Sequence, residues 1–239
     1  MIDLHTHILP AIDDGARSFA ESRELALEAA GQGVTAIAAT PHVRDDYPTT
    51  ADEMEAAVSA LREHFADEGI AVEILHGAEI DLTLLWSIPP EDLRRLTYAQ
   101  NGRYLLLEFP YRGWPLALDS AVSRLVGLGI SPLLAHPERN PEVQARPDRI
   151  ADLVAAGAFV QLTSGSLLGH FGPSSRAASI RLLELGLVHV LASDSHGPHI
   201  SREGIGPAAQ ALVDPKLASY LTVDAPAAIV AGEPVPQSP

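Results

Sequence analysis

The chain has 239 residues, 46% of them apolar, and sets 16 basic against 31 acidic side chains for a net charge of −15. That apolar content can bury one barrel-sized core, and the acidic balance argues against a nucleic-acid or anionic-membrane surface. The absence of cysteine excludes disulfides, zinc–thiolate sites and any cysteine nucleophile. No apolar run reaches the roughly 18 residues of a membrane span, so a soluble, cytoplasmic protein is expected.

Strands are predicted over Ile2–Leu4, Val34–Ala39, Val72–Leu75, Tyr104–Leu107, Pro132–Ala135, Phe159–Leu162 and Val188–Ala192. Helical patterns fill most of the gaps. Ser18 can cap a helix carrying Phe19, Leu25 and Ala29. Met54, Val58, Leu61 and Phe65 recur at helical spacing, and Gly69 ends that segment. Leu116–Leu128, Ile150–Ala156, Ser175–Leu185 and Pro207–Val213 read the same way. Alternating strand and helix implies a parallel sheet covered on both faces. One α/β domain over residues 1–231 is expected, with the proline-rich segment 232–239 as a frayed tail.

The chemistry-bearing residues lie where the apolar runs give out. His5-Thr6-His7 and Asp194-Ser195-His196 each place two ligand types at i and i+2, on one side of a strand of period two. Asp14, His42, Glu79, Glu108 and His136 also follow apolar runs. A lone His-x-His is a weak signal, but seven positions behind successive strands are not a scatter of packed histidines. In an open doubly wound sheet, residues from the two edge strands could not share a site. In a barrel all strand ends face one mouth, so the barrel is the expected architecture.

Five imidazoles and four carboxylates exceed the four to six ligands of a single ion and suit two or three. The mixed donor set fits manganese, iron or zinc better than magnesium. Four carboxylates against three divalent ions leave about two positive charges, which suits a phosphate dianion. Arg139, in His136-Pro137-Glu138-Arg139, and Arg202, six residues after His196, are candidate forks for its oxygens. The reaction expected of such a site is in-line attack of a metal-bridging hydroxide on phosphorus.

His5-Thr6-His7, Thr40-Pro41-His42, Gly77-Ala78-Glu79, His136-Pro137-Glu138-Arg139 and Ser193-Asp194-Ser195-His196 resemble the motifs of the polymerase-and-histidinol-phosphatase (PHP) superfamily. The chain looks most like its bacterial manganese-dependent protein-tyrosine phosphatase branch, linked to capsule and exopolysaccharide synthesis. Ile12-Asp13-Asp14-Gly15 and the run Gln161–Gly169 also match that branch. The resemblance spans about Ile2 to Ala231 and implies a distorted (β/α)7 barrel with three divalent ions, usually manganese. It implies that His5, His7, Glu79 and Asp194 hold one ion, that Glu79, Glu108 and His136 hold a second, and that Asp14, His42 and His196 hold the third. It also implies a protein-tyrosine phosphatase acting on the tail of a tyrosine kinase. The alternatives are another phosphoesterase of the superfamily, such as a histidinol-phosphate phosphatase, and a metal-free barrel kept as a regulatory binding module.

Several neighbours carry two readings. Either member of Asp13-Asp14 can be the ligand, with Asp14 favoured by the resemblance. Asp3 shares strand parity with His5 and His7 and is a candidate for orienting a histidine. His64 is expected on a solvated helix face, and His76 and His189 as packed, hydrogen-bonded imidazoles. His170 and His199 belong to loops on the active side. Tyr111 and Trp114, just past Glu108, either anchor their loop or face an aromatic leaving group.

Overall fold

The computed structural model describes residues 1–198 and 204–239; His199 and Arg202 lie outside them. The strands are β1 (Ile2–Thr6), β2 (Ala36–Ala39), β3 (His42–Arg44), β4 (Tyr47–Pro48), β5 (Glu73–His76), β6 (Glu79–Asp81), β7 (Tyr104–Glu108), β8 (Ser131–Ala135), β9 (Phe159–Thr163) and β10 (Val190–Ala192). Among the helices, α1 (Phe19–Gly31) is capped by Ser18, and α2 (Ala51–Asp67) by a reciprocal Thr50–Glu53 box. Both caps follow from side chains that satisfy amides with no partner inside the helix. Met54, Val58, Leu61 and Phe65 are buried along α2 as their spacing predicts.

One strand order, β1–β2–β5, and another, β10–β9–β8–β7–β6–β3–β4, are two parts of one wall. β2 and β3 are one stave broken at Thr40-Pro41, and β5 and β6 are one stave broken at Gly77-Ala78. The breaks lie side by side, since a Cβ on Gly77 would fall 2.9 Å from the Thr40 side chain. The wall returns to its start where the Asp194 N–H donates to the His5 carbonyl at 2.8 Å and the His7 N–H to the Ser195 carbonyl at 2.9 Å. Seven parallel staves result, the expected distorted barrel.

Strand parity sorts the core into two clusters. Ile37, Leu105, Leu107, Leu134, Val160, Leu162 and Leu191 join a cluster with the apolar faces of the helices. Leu4, Ala36, Ala38, Tyr104, Leu106, Leu133, Ala135, Val190 and Ala192 form the second, with Tyr98 and Ile229. Continuing the second parity toward the strand exits reaches Glu108 after Leu106 and Asp194 after Ala192. The barrel interior therefore changes from apolar to ionisable at one end.

Shorter helices complete the frame: α3 (Pro90–Arg95), α4 (Leu118–Gly127), α5 (Pro141–Ala145), α6 (Ile150–Ala155), α7 (Ser164–Leu168), α8 (Pro173–Glu184), α9 (Ile205–Ala211), α10 (Pro215–Ser219) and α11 (Ala225–Ala231). The chain stays in contact after α11, where the Tyr104 hydroxyl donates to the Glu233 carbonyl at 2.6 Å and Val235 packs against both clusters. Among the described residues, no helix is long and apolar enough to cross a membrane.

Candidate metal centre

All nine expected ligands meet at one mouth of the barrel. They fall into overlapping sets whose ligand atoms lie within 4.8 Å of one another: His5, His7 and Asp194; His5, Glu79 and His136; His42, Glu79 and Glu108; and His7, Asp14, His42 and His196. The grouping differs from the implied partition in placing Glu108 with His42 and His136 with His5. Glu79 is the hub. Its Oε2 lies 3.3 Å from His5, 3.5 Å from His7 and 3.0 Å from His42, while Oε1 lies 3.0 Å from His136. With its two oxygens turned to different imidazoles, Glu79 would be able to serve more than one ion.

The imidazoles are set in one tautomer by the groups behind them. His5 Nδ1 lies 3.1 Å from Gln161 Oε1, His7 Nδ1 is 2.7 Å from Asp13 Oδ2, and His196 Nδ1 is 3.0 Å from the Asp194 carbonyl. Each partner oxygen can only accept, so each Nδ1 carries a proton and each Nε2 faces the centre. Gln161 Oε1 also accepts the His136 backbone N–H at 3.2 Å, and two converging donors identify that atom as oxygen. Sequence reading quoted Gln161 only within a motif and missed this role, because a lone glutamine in a strand carries no ligand signal.

Asp13 and Asp14 differ in their surroundings. Asp13 accepts from His7 Nδ1, the Gly15 N–H and the His42 N–H, which occupies it behind the ligands. Asp14 Oδ1 lies 3.4 Å from both His42 Nε2 and His196 Nε2. Gly15 allows this turn, since a Cβ there would stand 2.1 Å from the His7 carbonyl oxygen. The expectation for Asp3 needs correction. A register irregularity between Asp3 and Thr6 shifts the parity of β1, and Asp3 instead accepts the backbone N–H groups of His5 and Ser193. It ties β1 to the exit of β10 and touches no imidazole among the described contacts.

Backbone strain marks the same mouth. His136 at φ 39° and Asp194 at φ 55° are non-glycine residues in the left-handed region. Such conformations cost on the order of 1–3 kcal/mol each and persist where the surroundings fix them.

The electrostatics call for cations. Burial pushes the His5 imidazole down, but Glu79 and Asp194 reverse this and raise it to about 9. Burial, with Glu79 and Asp81 adding repulsion, pushes the Glu108 carboxyl up to about 8. His136 Nδ1 and Glu108 Oε2 are buried without a hydrogen-bond partner. Unpaired polar atoms among five imidazoles and four carboxylates, all buried but Asp14 and His196, fit divalent ions bound by nitrogen and oxygen.

Around the rim, Arg139 Nη1 donates to Asp194 Oδ2 at 2.7 Å. Its guanidinium lies over Tyr111 at 4.8 Å and over Phe171 at 4.2 Å. Tyr111 stacks on His136 with ring centroids 5.2 Å apart and planes at 11°. Trp114 instead packs edge-on against Phe109 and under Arg149, so it anchors the loop. Of the two aromatics, Tyr111 is the one packed directly on a candidate ligand. Arg44, unremarked in the sequence, lies 3.3 Å from His42 Nε2 and 3.6 Å from Asp14. Its signal was position i+2 from His42, on the same strand face. His189 is a packed imidazole as expected, accepting the Val160 N–H at 3.2 Å. Half-buried His64 lies on α2 against Phe19, with Glu68 3.6 Å away.

The family described as "Capsular polysaccharide synthesis, CpsB/CapC" matches residues 1–222. Tyrosine-protein phosphatase YwqE of Bacillus subtilis is 40% identical over 199 residues, covering 82% of this chain and 77% of its own. Tyrosine-protein phosphatase CpsB of Streptococcus pneumoniae is 33% identical over 205 residues, covering 82% and 83%. A solved structure from work on these two proteins, described as unique metal-dependent tyrosine phosphatases, superposes with a TM-score of 0.86 at 33% identity. It covers 100% of this chain and 98% of that one. A probable 2-pyrone-4,6-dicarboxylic acid hydrolase from Acinetobacter baumannii shares the fold alone, at 14% identity and a TM-score of 0.60. By family match, sequence identity and superposition, the chain belongs to the CpsB/CapC family of capsular polysaccharide synthesis proteins.

Proposed function

We propose that the chain is a metal-dependent phosphatase of phosphotyrosyl proteins, with His5, His7, Asp14, His42, Glu79, Glu108, His136, Asp194 and His196 holding up to three divalent ions. The observation that carries this reading is the convergence of all nine residues, with three imidazoles set by partners that leave Nε2 facing inward. Manganese is the metal we assign, with iron and zinc as chemical alternatives. Bound ions of this kind supply a nucleophile from water at neutral pH and polarise the phosphoryl oxygens.

The chain's own residues position the reaction. Glu79 spans the cluster and fixes the spacing of the sites. Arg139 stands at the rim with one nitrogen on Asp194, leaving the rest of its fork for phosphoryl oxygens. Its stacking between Tyr111 and Phe171 holds the guanidinium plane and limits the entropy lost when the ester binds. Tyr111, 42% exposed beside His136, offers a ring face to an aromatic leaving group. Arg202 is the second candidate fork, from the sequence alone. The physiological partner we assign is a tyrosine kinase of capsule or exopolysaccharide synthesis, a reading that rests on the family and on the names of the relatives.

The test is hydrolysis by manganese-loaded protein of phosphotyrosyl peptide, phosphoseryl peptide and histidinol phosphate. Preference for the phosphotyrosyl peptide is expected. Preference for histidinol phosphate would move the chain to the other phosphoesterase reading.

A further inference from the structure

A cleft of about 450 Å³ opens directly beside the cluster, between the turn after β6 and the loop after β7, lined by Arg44, Asp81, Thr83, Glu108, Tyr111 and Arg112. Its size falls within the roughly 300–1,000 Å³ of ligand clefts. Glu108 belongs both to this lining and to the candidate ligands, and Tyr111 both to this lining and to the stack on His136. The cleft therefore adjoins the candidate ligands, and Tyr111 and Arg112 on its wall are exposed.

The charges along it are not equivalent. Asp81 Oδ1 accepts the N–H and hydroxyl of Thr83 at 2.6 and 2.5 Å, so that oxygen is occupied within its own turn. Arg44 is engaged by Asp46 at 2.7 Å, with Asp14 and Glu108 3.6 and 3.9 Å away. Arg112 is exposed and has no ion pair among the described residues. Asp81 and Glu108 offset the two arginines along the lining, and in a chain of net charge −15 the exposed Arg112 is left there without an ion pair among the described residues.

We infer that this cleft seats the polypeptide flanking the phosphotyrosine, and that Arg112 selects an acidic side chain there. The inference rests on the phosphatase reading. A peptide is the occupant because the lining runs from Glu108, a candidate ligand, to Thr83 and Arg112, which belong to no candidate ligand set, so the cleft offers contacts beyond the phosphoryl group. An acidic flank is the complement because Arg112 gains a partner that the chain does not provide, in a partly enclosed setting where opposite charge sets specificity.

The experiment compares kcat/KM on phosphotyrosyl peptides with acidic, neutral or basic flanks for the manganese-loaded wild type, Arg112→Gln and Arg112→Glu. Turnover of p-nitrophenyl phosphate reports folding and metal loading in each. The wild type is expected to favour the acidic over the basic flank by roughly three- to ten-fold, the scale of one or two exposed ion pairs. The preference should fall to parity in Arg112→Gln and invert in Arg112→Glu. No preference in the wild type, or one that survives both substitutions, overturns the assignment while leaving the phosphatase reading intact. Failure to hydrolyse any phosphotyrosyl substrate overturns that reading, and the inference falls with it.

Discussion

Where the strands begin, the barrel is closed by apolar and aromatic groups. Ile229 and Tyr98 are fully buried, the Tyr104 hydroxyl reaches the Glu233 carbonyl, and Asn101 Nδ2 donates to the Ile229 carbonyl at 2.7 Å. Where the strands end, the same alternation of side chains delivers carboxylates and imidazoles, and His136 and Asp194 adopt strained backbone. One end is satisfied by groups the chain itself provides. The other is left with buried lone pairs and opposed charges that a cation relieves. Stability and function are thus separated along the barrel axis, and substitutions at the two ends should have different signatures.

The largest effect is expected at the mouth. Glu79→Gln removes the carboxylate that faces four imidazoles. Bound metal, read by elemental analysis, and phosphotyrosine hydrolysis should both fall by more than the roughly 100-fold cost of losing an outer-shell partner. At the opposite end, Ile229→Ala opens a cavity in a side chain with no exposure. It should cost about 2–5 kcal/mol in urea unfolding while metal content stays at the wild-type level. A loss of metal in that variant would break the separation.

Arg139→Ala should raise the barrier to hydrolysis by about 2–4 kcal/mol, the scale of one preorganised donor, and weaken inhibition by phosphate and vanadate. Because Arg139 also holds Asp194, a smaller fall in metal affinity is expected with it. Normal phosphate inhibition in this variant would remove Arg139 from the phosphate site.

The smallest effect belongs to His189, which packs edge-on against Phe159 at the start of β9. Burial holds its imidazole down at about 4, below the ordinary 6.5. Between these values the unfolded chain binds a proton that the folded chain refuses, so stability is fully present above pH 6.5 and falls as pH drops toward 4. The contribution is about 1–3 kcal/mol. His189→Asn should flatten the stability–pH slope in that window, and an unchanged slope would contradict the packed, neutral imidazole.

The mouth was legible in the sequence because its residues violate their surroundings. A histidine or carboxylate at the exit of an apolar run stands out, and six strand exits of this kind imply a shared face. The seven staves were legible for the same reason. What stayed hidden depends on departures from ideal strands. The irregularity in β1 turns Asp3 from a histidine partner into a backbone anchor, and no residue type there announces it. The breaks that start β3 at His42 and β6 at Glu79 lie against each other at Thr40 and Gly77, residues distant in sequence. Gln161 acts through a hydrogen bond to His5 formed 156 residues away. Arg139 and Tyr111 gain their roles only when two loops meet, and α11 caps the far end with small residues of weak periodicity.

Manganese titration of chelator-treated protein, with bound metal, phosphotyrosyl-peptide hydrolysis and melting temperature read on the same samples, tests the central claim most directly. Hydrolysis should be lost with the metal and return in step with occupancy, saturating at two or three ions per chain. The melting temperature should rise as well, since free metal at 100 times its dissociation constant stabilises by about 2.7 kcal/mol. A fully active chain containing less than one metal ion per molecule would contradict the account.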